Sequence, residues 1–303
     1  MNNIPRCMIY VICAQLFFVA QGSAQRASTG GAFSTTEFDL NAKSLPPLFK
    51  GHDIAQLSLK LAAKGASEGK GEFETTEQWQ QRIKKEESEP ILGGLLQSGV
   101  YAFALEGSDV LGQSSAYNGP FEIKYDADKS TFYVQIKSIE DLWDANGGWV
   151  YLRSYPYVVK VAETISDSGS HVGMNAYGAT AKVNDYDSTT YAVEFSNARF
   201  ARQKSTIFSH AEPIHGEFVA PAEQAPSIQK NIGVLAVCKL KTPFYKTGHW
   251  GSTATIDSPQ TFYETNNYVI TDLLAFWVYN RISGEVYTKI EPLPGKKVRK
   301  STY

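Results

Sequence analysis

The chain has 303 residues, of which 29 are basic and 31 are acidic, and its formal net charge is -2 at pH 7. This balance excludes the broad basic face by which nucleic-acid-binding proteins usually contact phosphates. The length is sufficient for one large domain or two small ones. The 16 Phe, 17 Tyr and 5 Trp residues favour a strand-rich fold, because aromatic side chains suit sheets and fill cores.

The first 24 residues have the composition of a cleavable secretory signal peptide. Arg6 precedes an apolar run over residues 7–20, and small residues follow at positions 22–24. An uncleaved membrane anchor is the alternative, but a spanning helix needs about 20 apolar residues and this run is shorter. We therefore predict export to the periplasm or to the outside of the cell, with cleavage near Ala24 and a mature chain that starts at Gln25.

Cleavage would leave one cysteine of three. Cys7 and Cys13 lie in the predicted signal peptide, whereas Cys238 lies in an apolar run over residues 232–240. The mature protein is therefore predicted to have no internal disulfide bond. A lone cysteine in an apolar strand is usually a small buried hydrophobe, and we predict this role for Cys238 rather than that of a catalytic nucleophile.

Two helices are predicted near the start of the mature chain. Residues 25–51 are expected to form a flexible leader, since they begin with small polar residues. A helical segment over residues 52–95 follows. Ile54, Leu57 and Leu61 recur at helical spacing and predict its first helix.

The second helix is marked by its start and its end. Thr75 and Gln78 match a capping box, in which a hydroxyl and an amide side chain satisfy early backbone N–H groups. Trp79 and Ile83 are four residues apart and are predicted to share the buried face. The helix should end before Pro90, because the residue that precedes a proline is displaced from the helical region.

A β-rich domain is predicted over residues 96–291, where the apolar pattern has a period of two. Residues 121–125 and 131–136 flank turn-forming residues and predict a hairpin. Asn175 and Gly178 bracket another predicted turn, since both tolerate a left-handed backbone. Further strands are predicted over residues 157–161, 178–183, 190–195, 232–240 and 268–279. Hairpin connections of this kind indicate a mainly antiparallel sheet.

The last third is predicted to hold one short helix, one loop and a closing hairpin. Pro226 limits residues 221–231 to a turn or two of irregular helix. Residues 242–258 are rich in Gly, Thr and Ser and are predicted to form a loop. Residues 280–284 are predicted to turn the last long strand into a hairpin. We predict an α+β fold with a dominant antiparallel sheet, curled or sandwich-like, on which the two N-terminal helices pack.

Three short stretches resemble segments of exported bacterial proteins whose activity is uncharacterised. They are Glu-Phe-Glu-Thr within residues 71–82, Asn-Ala-Tyr-Gly within residues 172–178, and Ala-Thr-Ile-Asp-Ser-Pro over residues 254–259, which is followed by Ser-Gly-Glu-Val at 283–286. The resemblance implies that the helices and the strand region belong to one unit. It implies no catalytic residue.

The densest set of possible ligand-binding side chains lies between His210 and Glu217. In an extended backbone, His215 and Glu217 would share one face of a strand. Pro213 excludes the continuous helix of the common zinc motif, so a metal site is disfavoured. A polar ligand pocket, an acid–base pair and an exposed loop remain as alternative interpretations.

A second candidate is the pair His249 and Trp250, which glycines flank on both sides. A tryptophan in such a setting often exposes its ring, which would stack on a sugar or a peptide; packing over a sheet edge is the alternative. No Gly-x-Ser-x-Gly elbow and no Gly-rich phosphate loop occurs in the chain. We therefore predict neither a common serine hydrolase nor a bound cofactor or metal.

Two functions follow as hypotheses. The favoured one is an exported, non-enzymatic binding or structural protein. The alternative is an exported hydrolase that uses residues 210–217 together with His249. A third feature is the basic tail over residues 292–303, which would contact an anionic surface of the cell envelope or remain solvated. Its positive charges are Lys296, Lys297, Arg299 and Lys300.

Overall fold

The structure is a computed structural model. It describes residues 32–64, 70–105, 119–138, 154–201 and 214–292. The predicted signal peptide, His210 and the basic residues of the tail lie outside this part of the chain. Within it, no helix is long and apolar enough to cross a membrane.

The fold is α+β with a dominant, mainly antiparallel sheet, as predicted. The helices are α1 (Ile54–Ala63), α2 (Thr76–Glu87) and α3 (Ala225–Asn231). The strands are β1 (Pro90–Leu92), β2 (Leu95–Leu96), β3 (Val100–Leu105), β4 (Phe121–Asp126), β5 (Thr131–Ile136), β6 (Ser154–Met174), β7 (Thr180–Ala201), β8 (Ile214–Val219), β9 (Ile232–Ser252), β10 (Gln260–Asn280) and β11 (Val286–Ile290).

Four long strands dominate the molecule. The large sheet has the order β3-β9-β10-β7-β6, and β11 pairs with the last residues of β10. Strands β6, β9 and β10 have 21 residues each and β7 has 22, which is about four times the usual strand length of 5–6 residues. The pair β7–β10 is parallel and every other pair in this sheet is antiparallel. Strands β4, β5 and β8 form a separate small sheet.

One face of the large sheet, which we call the front face, carries the main core. Val193, Val269 and Cys238 lie on it, and the buried stripe of α1 packs against the same cluster. The apolar face of the small sheet and helix α3 complete this cluster. Cys238 is fully buried, and this burial raises the pKa of its thiol to about 12. The predicted role of Cys238 as a core residue is confirmed.

The opposite face, which we call the back face, is covered near β3 by the extended segment before α1. Phe38 and Leu45 are each 6% exposed and pack with Trp277 of β10. The backbone N–H of Phe38 donates to Val100 of β3 at 3.0 Å. We expected residues 25–51 to be flexible. In the structure, residues 32–51 are instead part of the fold, because apolar side chains follow the small polar residues at the start of the segment.

Local signals predicted both N-terminal helices and the end of the second one. The Thr75 hydroxyl and the Gln78 amide form the capping box, and α2 ends at Glu87, before Pro90. Trp79 and Ile83 share a face but are only half-buried, and no residue of α2 is fully buried. Helix α2 therefore depends on its caps and charged side chains more than on the core.

The strands are longer than the sequence predicted. Residues 242–252, predicted as a loop, continue β9 and pair with β10, although the register shifts between Val269 and Thr271. Strands predicted at 157–161 and 190–195 belong to the uninterrupted β6 and β7. The prediction was wrong here because it relied on residue composition, whereas backbone hydrogen bonds to a neighbouring strand define a strand. The two predicted hairpins, β4–β5 and β10–β11, are confirmed.

Candidate functional site

The long strands extend beyond the core as a projecting part of the sheet. We call residues 163–190 and 246–266 the arm. It contains the outer parts of all four long strands in the order β9-β10-β7-β6. Most side chains of residues 163–182 are exposed on both faces of the sheet. Among the described residues, no helix or second sheet covers the arm, so both of its faces contact solvent.

The tip of the arm is a tight turn between β6 and β7. The side-chain oxygen Oδ1 of Asn175 accepts hydrogen bonds from the backbone N–H groups of Tyr177 and Ala179, each at 3.0 Å. Gly178 has φ of 83°, a left-handed conformation that glycine adopts without steric cost. The turn predicted from Asn175 and Gly178 is confirmed.

The back face of the arm collects apolar side chains from all four strands. Ile165 of β6 and Trp250 of β9 lie in one row across the sheet. In the next row on this face, the rings of Tyr186 and Phe262 stack with centroids 5.2 Å apart. Nearer the tip, Val172 and Met174 project from the same face. Ile165, Val172 and Met174 are 57%, 74% and 72% exposed.

Ion pairs separate this apolar surface from the buried part of the back face. Lys160 Nζ lies 2.8 Å from Glu163 Oε2, and Lys246 contacts Glu194. The Lys246 ammonium also lies 5.2 Å from the ring centre of Tyr268. Burial raises the pKa of the Tyr268 hydroxyl, so this tyrosine stays neutral. The boundary is thus made of paired charges.

The front face of the arm is polar. Thr164, Thr189, Thr265 and His249 form one row across the four strands. The Nδ1 atom of His249 lies 3.3 Å from the hydroxyl oxygen of Thr265. The arm therefore has one polar face and one face with a large apolar contribution.

The structure separates the two neighbours His249 and Trp250. Successive residues of a strand point to opposite faces, so His249 lies on the front face and the half-buried Trp250 on the back face. They cannot act together on one ligand. Trp250 does share its face with other aromatic side chains, as a ligand-contacting tryptophan would.

His215 and Glu217 lie together on the outer face of the small sheet. They stand opposite Gln135 and Tyr133 of β5 in the register of β8. With Lys124 of β4, these side chains line a shallow, open depression of about 400 Å³. The sequence prediction that His215 and Glu217 share a face is confirmed, because the alternation of β8 places Phe218 in the core.

The three histidines of the sequence hypothesis do not form one cluster in the described structure. His215 belongs to the small sheet and His249 to the arm of the large sheet, and His249 does not line the depression beside His215. His210 lies outside the described residues. Within the described ranges, no group of three or more His, Cys, Asp or Glu side chains is arranged to hold a metal ion.

Comparison with protein-family models, with curated proteins and with solved structures found no match to this chain. The functional interpretation therefore rests on the chain's own surfaces. The back face of the arm was not predicted from the sequence. The spacing of two between Val172 and Met174 was the available signal, since it places both side chains on one face of a strand.

Proposed function

We propose that this protein is an exported, non-enzymatic binding or structural protein that acts through the back face of its arm. One observation carries the proposal. Ile165 is more than half exposed beside the stacked rings of Tyr186 and Phe262, and the more exposed Val172 and Met174 lie nearer the tip of the same face, beyond the polar row of Ser170 and Asn184. Soluble proteins seldom expose contiguous apolar patches unless the patch contacts another molecule.

The placement of these side chains supports binding rather than a role in folding. The buried apolar residues that stabilise this fold lie in core clusters outside the arm. Val172 and Met174 lie outside these clusters and near the tip. Exposed apolar side chains that lie outside the core and form a patch mark a surface that contacts another molecule.

The geometry favours binding over the hydrolase alternative. A general base must lie within about 3 Å of the proton that it removes, or reach it through one water molecule. His215 lies on the small sheet and His249 on the arm of the large sheet, and His249 is not among the residues that line the depression beside His215. A hydrolase that combines these two histidines therefore has no support in the described geometry.

Site-specific cross-linking tests the binding surface. A photoreactive amino acid at Val172 should give cross-linked adducts in cells that naturally produce the protein, because this side chain contacts the partner. The same amino acid at Lys124, which is exposed on the small sheet, is the matched control and should give none. Adducts at Val172 should diminish when Met174→Lys is added. Equal adducts at both positions, or none at either, would contradict the proposal.

Export is tested separately. The composition of residues 1–24 supports it, as does the absence of charged side chains from residues 7–20. N-terminal sequencing of the protein recovered from the periplasm or the culture fluid should give Gln25 as the first residue. Recovery from the cytoplasm alone with Arg6 still present would contradict export.

A further inference from the structure

We propose that the partner of the arm's back face is the same face of a second copy of this chain, so that two arms pack face to face across a two-fold axis. This inference rests on the proposed function, that the back face binds protein. The apolar side chains concerned are Ile165, Val172, Met174, Phe262 and Tyr186.

The architecture of the arm is that of half a β-sandwich. A sheet with one apolar face is normally covered by a second layer, and two antiparallel sheets satisfy each other by packing about 10 Å apart. Outside the arm, the main core cluster covers the front face of the large sheet, and the segment that carries Phe38 and Leu45 covers its back face. The arm is described as a single layer. A second arm has the same twist, width and apolar content, and it therefore supplies the matching sheet.

The area of the face is sufficient for a dimer. Its β6–β7 part is about 33 Å long and its β9–β10 part about 24 Å long, each about 10 Å wide, from the usual strand rise and spacing. Each copy would thus bury about 550 Å² of projected face, so that the contact totals roughly 1,100 Å². A specific protein interface needs about 1,000 Å² or more. The arm reaches this size without a contribution from the rest of the molecule.

The charged side chains on the back face of one copy are complementary to those on the back face of a second copy. Lys182 lies near the tip, next to Val172 in the register, whereas Glu264 lies nearer the core in the row of Trp250. If the two-fold axis runs across the strands, the tip of one arm faces the inner part of the other. Lys182 of each copy then lies close to the row of Ser188 and Glu264 of the other copy. Asp167, opposite Tyr186, adds an acidic group between these positions, so the face carries both signs of charge.

Sedimentation velocity on the full chain tests the dimer. At tens of micromolar, the wild-type protein should sediment as a species with twice the mass of one chain. The full chain has a mass of 33.5 kDa, and a cleaved signal peptide would reduce it. The double variant Val172→Lys with Met174→Lys should sediment as a monomer, because two lysine side chains from each copy would be buried against apolar side chains in the interface. Tyr263→Lys is the matched control: Tyr263 is exposed on the front face of the same arm, and this variant should remain dimeric.

A charge exchange tests the arrangement of the two copies. Lys182→Glu alone should weaken the dimer about tenfold or more, since like charges then face each other. Addition of Glu264→Lys should restore dimerisation. A monomeric wild type, or a dimer that survives both lysines at 172 and 174, would overturn the inference. The thermal unfolding midpoint of each variant shows whether it still folds.

The cross-linking experiment separates this inference from the proposed function. An adduct at Val172 with the mass of two identical chains supports both. An adduct with a different protein, together with a monomeric wild type, supports the binding surface and overturns the dimer. A monomeric wild type without any adduct overturns both.

Discussion

At the scale of single residues, two glycines in the left-handed region show which contacts of this fold are tight. Gly284 has φ of 80°, and a Cβ atom placed on it would lie 1.9 Å from the carbonyl oxygen of Leu45. Gly178 has φ of 83°, but a Cβ there would meet no atom within 4 Å. The backbone conformation is left-handed at both positions. The difference in unfolding free energy between alanine variants at the two positions therefore reports the contact of Gly284 with the N-terminal segment.

We predict that Gly284→Ala destabilises the protein much more than Gly178→Ala does. Gly178→Ala should cost about 1 kcal/mol in the free energy of unfolding, from left-handed backbone strain alone. Gly284→Ala should cost roughly 3 kcal/mol or more, because the backbone around Leu45 must also move. Urea unfolding of both variants measures this. Equal losses would show that residues 32–51 do not pack against this turn.

His52 is buried, and its environment favours the neutral ring. The backbone N–H of Ala102 donates to His52 Nδ1 at 2.9 Å, so the proton of the neutral ring is assigned to Nε2, which donates to the Thr36 carbonyl at 2.9 Å. Desolvation lowers the pKa of His52 below its usual value of 6.5. The ring thus holds the N-terminal segment to β3 in its uncharged form.

We predict that this histidine makes stability depend on pH near neutrality. Because the folded pKa lies below the unfolded one, the stabilisation is complete above about pH 6.5 and is lost as the pH falls through the folded pKa of His52. The free energy of unfolding should therefore fall between about pH 7.5 and pH 5.5 in the wild type. In His52→Gln it should fall less over the same range. Carboxylates such as Glu74 and Glu122, whose pKa values lie below 4.5, act only at more acidic pH. A slope unchanged by the substitution would contradict the assignment.

At the scale of elements, α2 shows how a helix with no fully buried residue is maintained. Its start is held by the Thr75 capping box. The residue before this cap is also tied to the middle of the helix, since Arg82 donates to both carboxylate oxygens of Glu74, at 2.9 and 3.0 Å. Glu86 is a further partner of Arg82, at 3.3 Å. These local interactions are exposed in part, and each therefore contributes little alone.

We predict that Thr75→Ala destabilises α2 by about 1 kcal/mol, the usual cost of a lost cap. Because no residue of α2 is fully buried, the effect should be local. Hydrogen exchange of residues 76–80 should accelerate while that of β9 stays unchanged. Thr75→Ser keeps the hydroxyl and is the matched control, with little expected change. Equal acceleration in both variants would show that the hydroxyl does not cap the helix.

The same comparison of elements shows what the sequence could predict. The start and end of α2 follow from neighbouring residues, so a capping box and a proline were sufficient. The outer part of β9 could not be predicted in this way: residues 246–252 include two glycines and one serine, and they are extended because they pair with β10 across the loop of residues 253–259. Such pairing leaves no period in the sequence when both faces of a strand are exposed.

At the scale of the whole molecule, the candidate surfaces were predictable to different degrees. The shared face of His215 and Glu217 followed from strand alternation, because Phe218 beside them must be buried. The arm's back face combines residues from four strands separated by up to about a hundred positions, such as Ile165 and Phe262. Only the pairing of β7 with β10 brings them together. No local pattern contains that information.

The division of the sheet into a covered part and an arm has an energetic consequence. Strand β10 runs through both, so it provides an internal comparison within one element. Residues 273–279 are flanked by two core clusters, whereas residues 260–266 pair with neighbouring strands, belong to no core cluster and include the exposed Gln260, Phe262 and Tyr263. Hydrogen bonds without covering apolar contacts open more easily by local fluctuation.

We predict that amides of residues 260–266 exchange roughly 100-fold faster than those of residues 273–279, relative to their intrinsic rates. The measurement is best made on the Val172→Lys, Met174→Lys variant, in which no second copy is expected to protect the arm. If the wild type at tens of micromolar shows slower exchange at residues 260–266 than this variant does, the added protection reports the second layer. Uniform protection along β10 in the variant would mean that the arm opens only with the whole sheet, and that its strands need no covering layer to remain paired.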